Sequence, residues 1–222
     1  MNYLDGRWAF VLDMDGLMLD SERISNQAWQ RAAADFGYDL TDEMMQECVG
    51  CSPIISEFIQ KKYLGQNYPY QKIRERKAGY FEENMTKNGI PIKKGLLELL
   101  DLLESKQLRK AVASSTEQPY VNQRLKATNL FHRFDAAVSG SEVEKVKPDP
   151  ALFLEAAWLM SSAPKQCLVL EDTPFGIIAA EAAGMPVILV PDLAPIPAQI
   201  KSMTVGVFPS LDEVRLYLLD QG

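Results

Sequence analysis

Apolar residues open the chain as a single short run and then change to a helical spacing. The run from Trp8 to Leu12 ends at Asp13-Met14-Asp15-Gly16, which predicts a buried strand with acidic residues at its carboxyl end. From about Ser21 to Lys87, apolar positions recur every three or four residues, and no convincing strand interrupts them. The first strand is therefore followed by an all-helical insert. Its predicted helices are Ser21–Gly37, Thr41–Val49, Ser52–Leu64 and Tyr70–Asn88.

Beyond Asn88 the pattern alternates between short apolar segments and helical segments. Such alternation predicts an α/β fold, a Rossmann-like parallel sheet with helices on both faces. We expect a core catalytic domain from residues 1–19 and 89–222 and a helical domain at 20–88. The predicted strands are Arg109–Ala113, Phe134–Val138, Cys167–Leu170 and Pro186–Val190, and the predicted helices are Gly95–Lys106, Pro119–Thr128, Pro150–Met160 and Pro174–Ala183.

Composition excludes several classes of function. The 222 residues are 47% apolar and 24% charged, which is ordinary for a globular protein. The net charge of −7 has no basic stripe, which argues against a nucleic-acid partner. No apolar run approaches the roughly 18 residues of a membrane span, and the N-terminus does not resemble a signal peptide. We therefore expect a cytoplasmic protein without a membrane partner, and we expect it to be a monomer.

Histidine and cysteine offer little chemistry in this chain. His132 is the single histidine, so a His-rich metal site is impossible, and its position at a predicted helix end indicates a surface residue. Cys48 and Cys51 form one CxxC with no second pair and no nearby histidine, which favours ordinary helix-end cysteines over a redox or metal site. Whatever chemistry the protein performs must rely on carboxylates, hydroxyls and lysines.

Polar residues follow four of the predicted strands. Because the carboxyl ends of parallel strands meet at one edge of a sheet, these side chains are expected to converge there. Taken singly, each has a structural explanation as a turn, a helix cap or a solvated lysine. Together they are hard to attribute to coincidence. The set is Asp13 and Asp15, then Ser114-Ser115-Thr116, then Lys147, then Glu171-Asp172.

This combination of residue types suits phosphoryl transfer. Clustered carboxylates repel one another unless a cation lies between them, and hard oxygen ligands favour Mg²⁺. Lys147 adds a fixed positive charge, and Ser114 with the neighbouring amides adds hydrogen-bond donors for a phosphate. A positioned nucleophile, charge neutralisation and an acid for the leaving group are what an in-line transfer requires.

At this point the sequence resembles the haloacid dehalogenase-like hydrolase superfamily, in its branch of small phosphatases and beta-phosphoglucomutase-like enzymes. The resemblance covers nearly the whole chain and rests on four motifs in order. They are Val11-Leu12-Asp13-Met14-Asp15-Gly16-Leu17 with Asp20-Ser21-Glu22, Ala113-Ser114-Ser115-Thr116, Val146-Lys147-Pro148-Asp149-Pro150, and Leu170-Glu171-Asp172-Thr173-Pro174-Phe175-Gly176.

The resemblance implies roles for the motif residues. Asp13 would be the nucleophile that becomes an aspartyl phosphate, and Asp15 the general acid and then base. Ser114 would hold the phosphoryl oxygens, and Lys147 would bridge the phosphate and Asp13. The metal set for Mg²⁺ would be Asp13, Asp172, the backbone carbonyl of Asp15, and Glu171 directly or through water.

The helical insert is similar to the mobile cap of that family, which closes over the site. Glu22 and Ser25 in its first helix are candidate substrate-binding residues that could bind sugar hydroxyls, and Ser115 is a further candidate. A solvated helix face explains the two insert residues equally well.

The expected partner is a small phosphorylated metabolite, and three functions compete. Asp15 argues against a dehalogenase, because those enzymes lack this second aspartate. Mutases of the branch carry a histidine where this chain has Ser25 and an arginine where it has Pro53, so a phosphatase is favoured over a phosphomutase. A non-enzymatic phospho-acceptor module would use a similar residue set but would need neither Asp15 nor a substrate lid.

Overall fold

The computed structural model describes residues 2–221 and shows a six-stranded sheet in which every pair of neighbouring strands is parallel. The spatial order is β3-β2-β1-β4-β5-β6. This is the doubly wound order, in which ligands bind where the winding reverses, here between β1 and β4. The strands are β1 (Ala9–Leu12), β2 (Arg109–Ser114), β3 (Ala136–Ser139), β4 (Cys167–Glu171), β5 (Val187–Leu189) and β6 (Gly206–Val207).

Ten α-helices accompany the sheet within the described residues. Two 3₁₀ turns, Phe131–Arg133 and Pro164–Gln166, lead towards β3 and β4. The α-helices are α1 (Ser21–Asp35), α2 (Asp42–Cys48), α3 (Pro53–Leu64), α4 (Tyr70–Asn88), α5 (Leu96–Ser105), α6 (Gln118–Ala127), α7 (Ala151–Leu159), α8 (Pro174–Ala182), α9 (Ala198–Lys201) and α10 (Leu211–Asp220).

Alternate residues of β1 face two separate apolar layers. Phe10 and Leu12 join a core that includes residues of α5 and α10, whereas Ala9 and Val11 join a core that includes residues of α7 and α8. A strand covered on both faces has no solvent side, which is why β1 is an uninterrupted apolar run with all four residues buried. The apolar run therefore places the end of β1, and with it Asp13, at the middle of the sheet.

The helical insert, α1 to α4, has an apolar core of its own. Trp29, Leu40, Tyr68 and Ile73 are among its buried residues, and they belong to a cluster separate from the two layers on the sheet. An independent core agrees with the predicted insert, and the division into domains at residues 20 and 88 stays a prediction.

The predicted elements match the structure closely up to β5. Helix α4 has the predicted bounds, and β1 begins at Ala9 instead of Trp8. The predicted third strand, Phe134–Val138, begins two residues before the observed strand and ends one residue before it, since β3 runs from Ala136 to Ser139. Beyond Val190 the sequence pattern predicted no element, yet the chain forms α9, β6 and α10 there.

No helix within residues 2–221 is long and apolar enough to cross a bilayer. His132 is exposed in a 3₁₀ turn, as predicted for a surface histidine. Cys48 and Cys51 are unbridged, and burial raises the pKa of the Cys48 thiol to about 11 and that of Cys51 above its ordinary value. Both thiols are therefore neutral at neutral pH.

Candidate active site

The carboxyl ends of β1, β2 and β4 bring the predicted acidic and hydroxyl residues together. Leu12 lies beside Val112 on one side and Leu170 on the other, so the residues that follow these strands share one edge. The Asp13 amide donates to the Leu170 carbonyl at 3.1 Å, which extends the pairing by one residue. The side chain of Asp13 therefore projects from a fixed backbone, with only 7% of the residue exposed.

Lys147 connects the nucleophile candidate to the neighbouring strand. Its Nζ donates to Asp13 Oδ1, to Glu171 Oε1 at 2.8 Å and to the Ala113 carbonyl at 3.0 Å. All three donor positions of the ammonium group are thus used inside the protein. Burial lowers the pKa of Lys147, but the carboxylates of Asp13 and Glu171 outweigh it and hold the pKa above its ordinary value.

Glu171, the last residue of β4, is buried and held by the segment that leads into α8. Its Oε2 accepts from the amides of Asp172 and Thr173, both at 2.7 Å, and from the Thr173 hydroxyl at 3.0 Å. Gly176 packs against it so closely that a Cβ there would lie 1.7 Å from Oε1. The residues between β4 and α8, with Gly176 in the first turn of α8, therefore hold Glu171 towards Lys147.

Asp172 is the unsatisfied group of the site. It is wholly buried, and neither carboxylate oxygen has a hydrogen-bond partner among residues 2–221. Gly16 faces it with a positive φ of 92°, and a Cβ at that position would lie 2.2 Å from Asp172 Oδ2. A buried carboxylate without a donor is costly unless a cation or an additional proton compensates it.

The three buried acids could supply ligands to one divalent ion. Asp13, Glu171 and Asp172 can each offer a carboxylate oxygen, and these oxygens lie within 4.8 Å of one another. An all-oxygen set is the chemistry that Mg²⁺ prefers. With the unpartnered Asp172, the donor set fits the predicted ion.

Without a cation, the site favours protonated acids. Burial, together with the negative charges of Glu171 and Asp15, raises the pKa of Asp13 to about 8. The positive charge of Lys147 lowers this pKa but does not outweigh them. Burial, with the charges of Glu171 and Asp13, also raises the pKa of Asp172 well above its ordinary value. A carboxylate has to be ionised to act as a nucleophile, so a further positive charge beside Asp13 would favour the form that the predicted role requires.

Asp15 faces a different set of partners. Its Oδ1 accepts from Ser21 and Arg124, and its Oδ2 accepts from the Thr116 hydroxyl at 2.8 Å and from Ser114 Oγ at 3.4 Å. Burial alone would raise the pKa of Asp15. The charge of Arg124 and these hydrogen bonds outweigh burial and hold the pKa below its ordinary value, so Asp15 is ionised here.

Arg124 had no signal in the sequence pattern. It lies on α6, makes an ion pair with Asp15 in which only 12% and 14% of the two side chains are exposed, and stacks on Phe81 of α4. The guanidinium carbon is 4.7 Å from the centre of that ring. Arg124 thus links the sheet edge to the helical insert. A single arginine within a polar helix carries no spacing cue that shows which way it points.

A cavity of about 540 Å³ lies between the sheet edge and the insert. Its floor includes Asp13, Asp15, Lys147 and Glu171, and all three predicted substrate-binding residues border it. Asp172 is not among the residues that line the cavity, since it lies below the floor. The predicted substrate-binding residues that border the cavity are Glu22, Ser25 and Ser115.

Lys77 of α4 also borders the cavity and was missed by the sequence pattern. It lies 5.0 Å from the ring centre of Phe81. Burial and the nearby charge of Arg124 lower the pKa of Lys77 to about 8, although the negative charges of Glu22 and Asp15 act in the opposite direction. Burial and the charge of Asp15 raise the pKa of Glu22 to about 7. The upper part of the cavity therefore holds two groups that can change protonation near neutrality.

Comparison with known proteins places this geometry in a family. Residues 10–190 match the family model described as haloacid dehalogenase-like hydrolase. A phosphorylated carbohydrates phosphatase from Thermotoga maritima is 30% identical over 80% of this chain and 82% of its own length.

Two solved structures share the whole architecture. A HAD family hydrolase from Deinococcus radiodurans, with bound phosphate and sodium, is 26% identical, has a TM-score of 0.80, and covers 98% of both chains. A Thermotoga maritima protein provisionally named a beta-phosphoglucomutase is 25% identical with a TM-score of 0.77, over 96% of this chain and 99% of its own.

Proposed function

This chain belongs to the haloacid dehalogenase-like hydrolases, in their branch of phosphatases and beta-phosphoglucomutase-like proteins, and we propose that it hydrolyses a small sugar or polyol phosphate with Mg²⁺ through an aspartyl phosphate. One observation carries the proposal. Lys147 joins Asp13 to Glu171 on the floor of a cavity that is large enough for a phosphorylated metabolite. The unpartnered carboxylate of Asp172 lies beside them, below that floor.

In the first step, an Asp13 carboxylate oxygen attacks the phosphorus of the substrate and the bond from phosphorus to the leaving oxygen breaks. The ammonium of Lys147 neutralises charge on Asp13. To contact a phosphoryl oxygen as well, it has to exchange one of its three present hydrogen bonds. Ser114 Oγ lies at the same edge, within 3.4 Å of Asp15 Oδ2, and can donate to the phosphoryl group. When bound, Mg²⁺ would supply positive charge that offsets the buried acids.

Asp15 gives the leaving oxygen its proton and then accepts one from water. Its present ion pair with Arg124 keeps it ionised, the form that the second step requires. A phosphate dianion entering beside Asp15 would raise its pKa, because like charges disfavour ionisation, and would compete for Arg124. In the second step, water attacks phosphorus, its proton passes to Asp15, and the bond to Asp13 breaks to release phosphate.

A phosphomutase is the second candidate, because one structural relative carries that provisional name. Two cavity positions favour hydrolysis. Ser25 and Pro53 both border the cavity, and neither can act as the histidine or the arginine that the mutases of this branch place there. Without that histidine and that arginine, we expect the aspartyl phosphate to be transferred to water.

The test is a panel of sugar, polyol and nucleoside phosphates, assayed for phosphate release with and without Mg²⁺. We expect release to require Mg²⁺ and to be lost in Asp13→Asn, with a decrease of at least about a thousandfold. Glu144→Gln, at an exposed position near Lys147, is the matched control and should keep full activity. Activity that survives in Asp13→Asn would contradict the nucleophile, and interconversion dependent on a bisphosphate would favour the mutase.

A further inference from the structure

Phe81 is a residue of the helical insert that packs with the sheet. It lies on α4, but its buried side chain belongs to the apolar layer that contains Phe10 and Leu12 of β1. Trp29, by contrast, belongs to the insert's own core. Phe81 also borders the cavity whose floor contains Asp13. It therefore lies where the insert meets the catalytic edge of the sheet.

The ring of Phe81 lies against the guanidinium group of Arg124. The guanidinium carbon is 4.7 Å from the ring centre, which is within the range of a cation–π contact. Arg124 lies on α6, and its Nη1 also donates to Asp15 Oδ1 and, at 3.4 Å, to the Thr116 hydroxyl. The guanidinium thus has an aromatic ring on one side and two acceptors within reach of its hydrogens. Its orientation is set by the insert as well as by the sheet.

Asp15 depends on this guanidinium for its position. The Thr116 hydroxyl accepts from Arg124 and donates to Asp15 Oδ2 at 2.8 Å, so the three groups form a closed network. The side chains of Arg124 and Asp15 are both largely buried. Little water is available to replace a lost contact, so a shift of the guanidinium should be passed on to the carboxylate.

Two exposed contacts join α4 to the region of α6 beside the ring of Phe81. Gln123 of α6 donates to Glu82 of α4 at 2.7 Å, and Arg74 of α4 pairs at 3.5 Å with Glu117, which precedes α6. Exposed pairs of this kind contribute little to stability. The ring contact is buried, so we expect it to hold α4 against α6 more firmly than either of them.

We propose that Phe81 is a positioning residue for the acid–base step, which holds the guanidinium of Arg124 on Asp15 from the side of the insert. The inference rests on the proposed phosphatase function, in which Asp15 gives a proton to the leaving oxygen and then takes one from water. It adds that the insert contributes to this chemistry through an aromatic ring that need not touch the substrate. Asp15 then has its full set of contacts only while α4 lies against α6.

The experiment is a double-mutant cycle on phosphate release with Mg²⁺, in which Phe81→Leu and Arg124→Gln are made singly and together. Leucine keeps an apolar side chain but offers no aromatic face to a cation. We expect Phe81→Leu to lower kcat about fivefold and to change KM by less than about twofold. The effect is moderate because Ser21 and Thr116 still donate to Asp15. In the Arg124→Gln background, Phe81→Leu should lower kcat by less than about twofold, since the group that the ring positions is gone.

Further variants separate positioning from packing. Phe81→Tyr keeps the aromatic face and should retain kcat within about twofold of the wild-type value. Met85→Val shortens a buried side chain of the same apolar layer, one turn further along α4 and outside the lining of the cavity. It should lower stability and leave kcat unchanged. Melting temperatures identify any variant that fails to fold, and Phe81→Met, which fills more of the space, replaces Phe81→Leu if that variant does not fold.

An equal loss of kcat on Phe81→Leu in both backgrounds would overturn the inference, because a packing effect that is independent of Arg124 adds to the effect of Arg124→Gln. A change confined to KM would overturn it too, since the ring would then act by contacting the substrate.

The proposed function fails in a different way, namely if the wild-type protein releases no phosphate from any substrate of the panel. The same cycle is then measured on the free energy of unfolding. Losses that are smaller together than their sum would show that the ring holds Arg124 and leave that link standing. Additive losses would overturn it.

Discussion

At the scale of single residues, charge compensation around Lys147 dominates the site. Its ammonium is 4% exposed and pairs with two carboxylates, one of which is the proposed nucleophile. Buried charges of this kind are stable only as a set, because removing one partner leaves the others desolvated and unpaired. Lys147 therefore supports both the fold and the chemistry.

Replacing Lys147 by methionine should affect both properties. Asp13 and Glu171 would be left close together without their cation, so we expect a loss of about 3 kcal/mol in the free energy of unfolding. Phosphate release should decrease by at least about a hundredfold. Lys145→Met is the control, because Lys145 is exposed in the same loop. Denaturant unfolding and phosphate assays measure the two effects, and a stable, active Lys147→Met would refute this account.

The raised pKa values of the acids lead to a prediction about pH and metal. In metal-free protein, folded Asp13 holds its proton up to about pH 8, whereas the unfolded chain releases it near its ordinary pKa of 3.8. Stability is therefore greatest below about pH 4 for this group and decreases by up to about 1.4 kcal/mol per pH unit as the pH rises to 8. Melting temperatures without Mg²⁺ should fall across that range, and Mg²⁺ should raise them more at pH 8 than at pH 5. A stabilisation by Mg²⁺ that does not depend on pH would contradict the prediction.

Asp172→Asn tests the contribution of metal binding to stability separately from that of the other charges in the site. The variant removes an unpartnered carboxylate, so metal-free protein at pH 8 should melt at a higher temperature than the wild type. It should also lose most of the stabilisation by Mg²⁺, which is about 2.7 kcal/mol at a hundred times the dissociation constant. Asp101→Asn, whose side chain is 69% exposed, should keep the full response.

Which residues could be predicted depended on where they lie on their elements. Asp13, Lys147 and Asp172 follow strands or lie in strand-to-helix loops, and the topology fixes where those points meet. Arg124 and Lys77 lie within helices, where the direction of a side chain depends on how the helix is rotated against its neighbours. No periodicity in the sequence shows that rotation for a single polar residue, which explains why both were missed.

At the scale of elements, the pattern of apolar residues predicts strands well where both faces of the strand are buried. It does not detect elements of only a few residues. β4 is five consecutive buried residues and was found within one residue of its end. β6 has two residues, one of them glycine, and α9 has four, too few to produce a period. Helix α10 has a capping serine, Ser210, whose side chain accepts from the Glu213 amide; this signal for a helix start lies outside the apolar pattern.

Helix α6 joins the catalytic edge to α4 of the insert through Arg124. Arg124→Gln removes the ion pair with Asp15 and the cation above the ring of Phe81, while the hydrogen bonds from Ser21 and Thr116 remain. We expect kcat to fall by about ten- to a hundredfold and the free energy of unfolding by about 2 kcal/mol.

The matched control for Arg124→Gln is Arg74→Gln. Arg74 also borders the cavity, but its ion pair with Glu117 is exposed, with 44% and 59% of the side chains accessible. Its stability should change by less than about 1 kcal/mol. Steady-state kinetics and denaturant unfolding are measured for both variants. Equal decreases in kcat would show that the ion pair of Arg124 with Asp15 contributes no more to catalysis than the exposed pair of Arg74.

At the scale of the whole molecule, the chain passes between sheet and insert twice at one place. The Asp20 amide donates to the Pro91 carbonyl at 2.8 Å, and the Lys93 amide donates to the Met18 carbonyl at 2.9 Å. Leu19 and Ile92 form an antiparallel bridge between the two passages. Because the two connections are paired, any motion of the insert relative to the sheet has to occur about this small region. The cavity lies between the insert and the sheet. The insert therefore covers the cavity that contains Asp13, and the chain joins it to the sheet at this one place.

Asp192, in the loop after β5, is the charge that ties the insert to the sheet beside these connections. Its carboxylate, 5% exposed, pairs with Arg23 of α1 at 2.9 Å and with Lys93 at 2.8 Å. Asp192→Asn weakens both pairs. We expect the free energy that favours the observed arrangement of insert and sheet to decrease by about 1 kcal/mol. If substrate binding requires that arrangement, KM should rise about fivefold while kcat changes less than twofold, because the groups at Asp13 are untouched. Asp212→Asn, which breaks a pair within α10, should leave KM unchanged. An unchanged KM in Asp192→Asn, or a loss confined to kcat, would show that this pair does not hold the insert over the substrate.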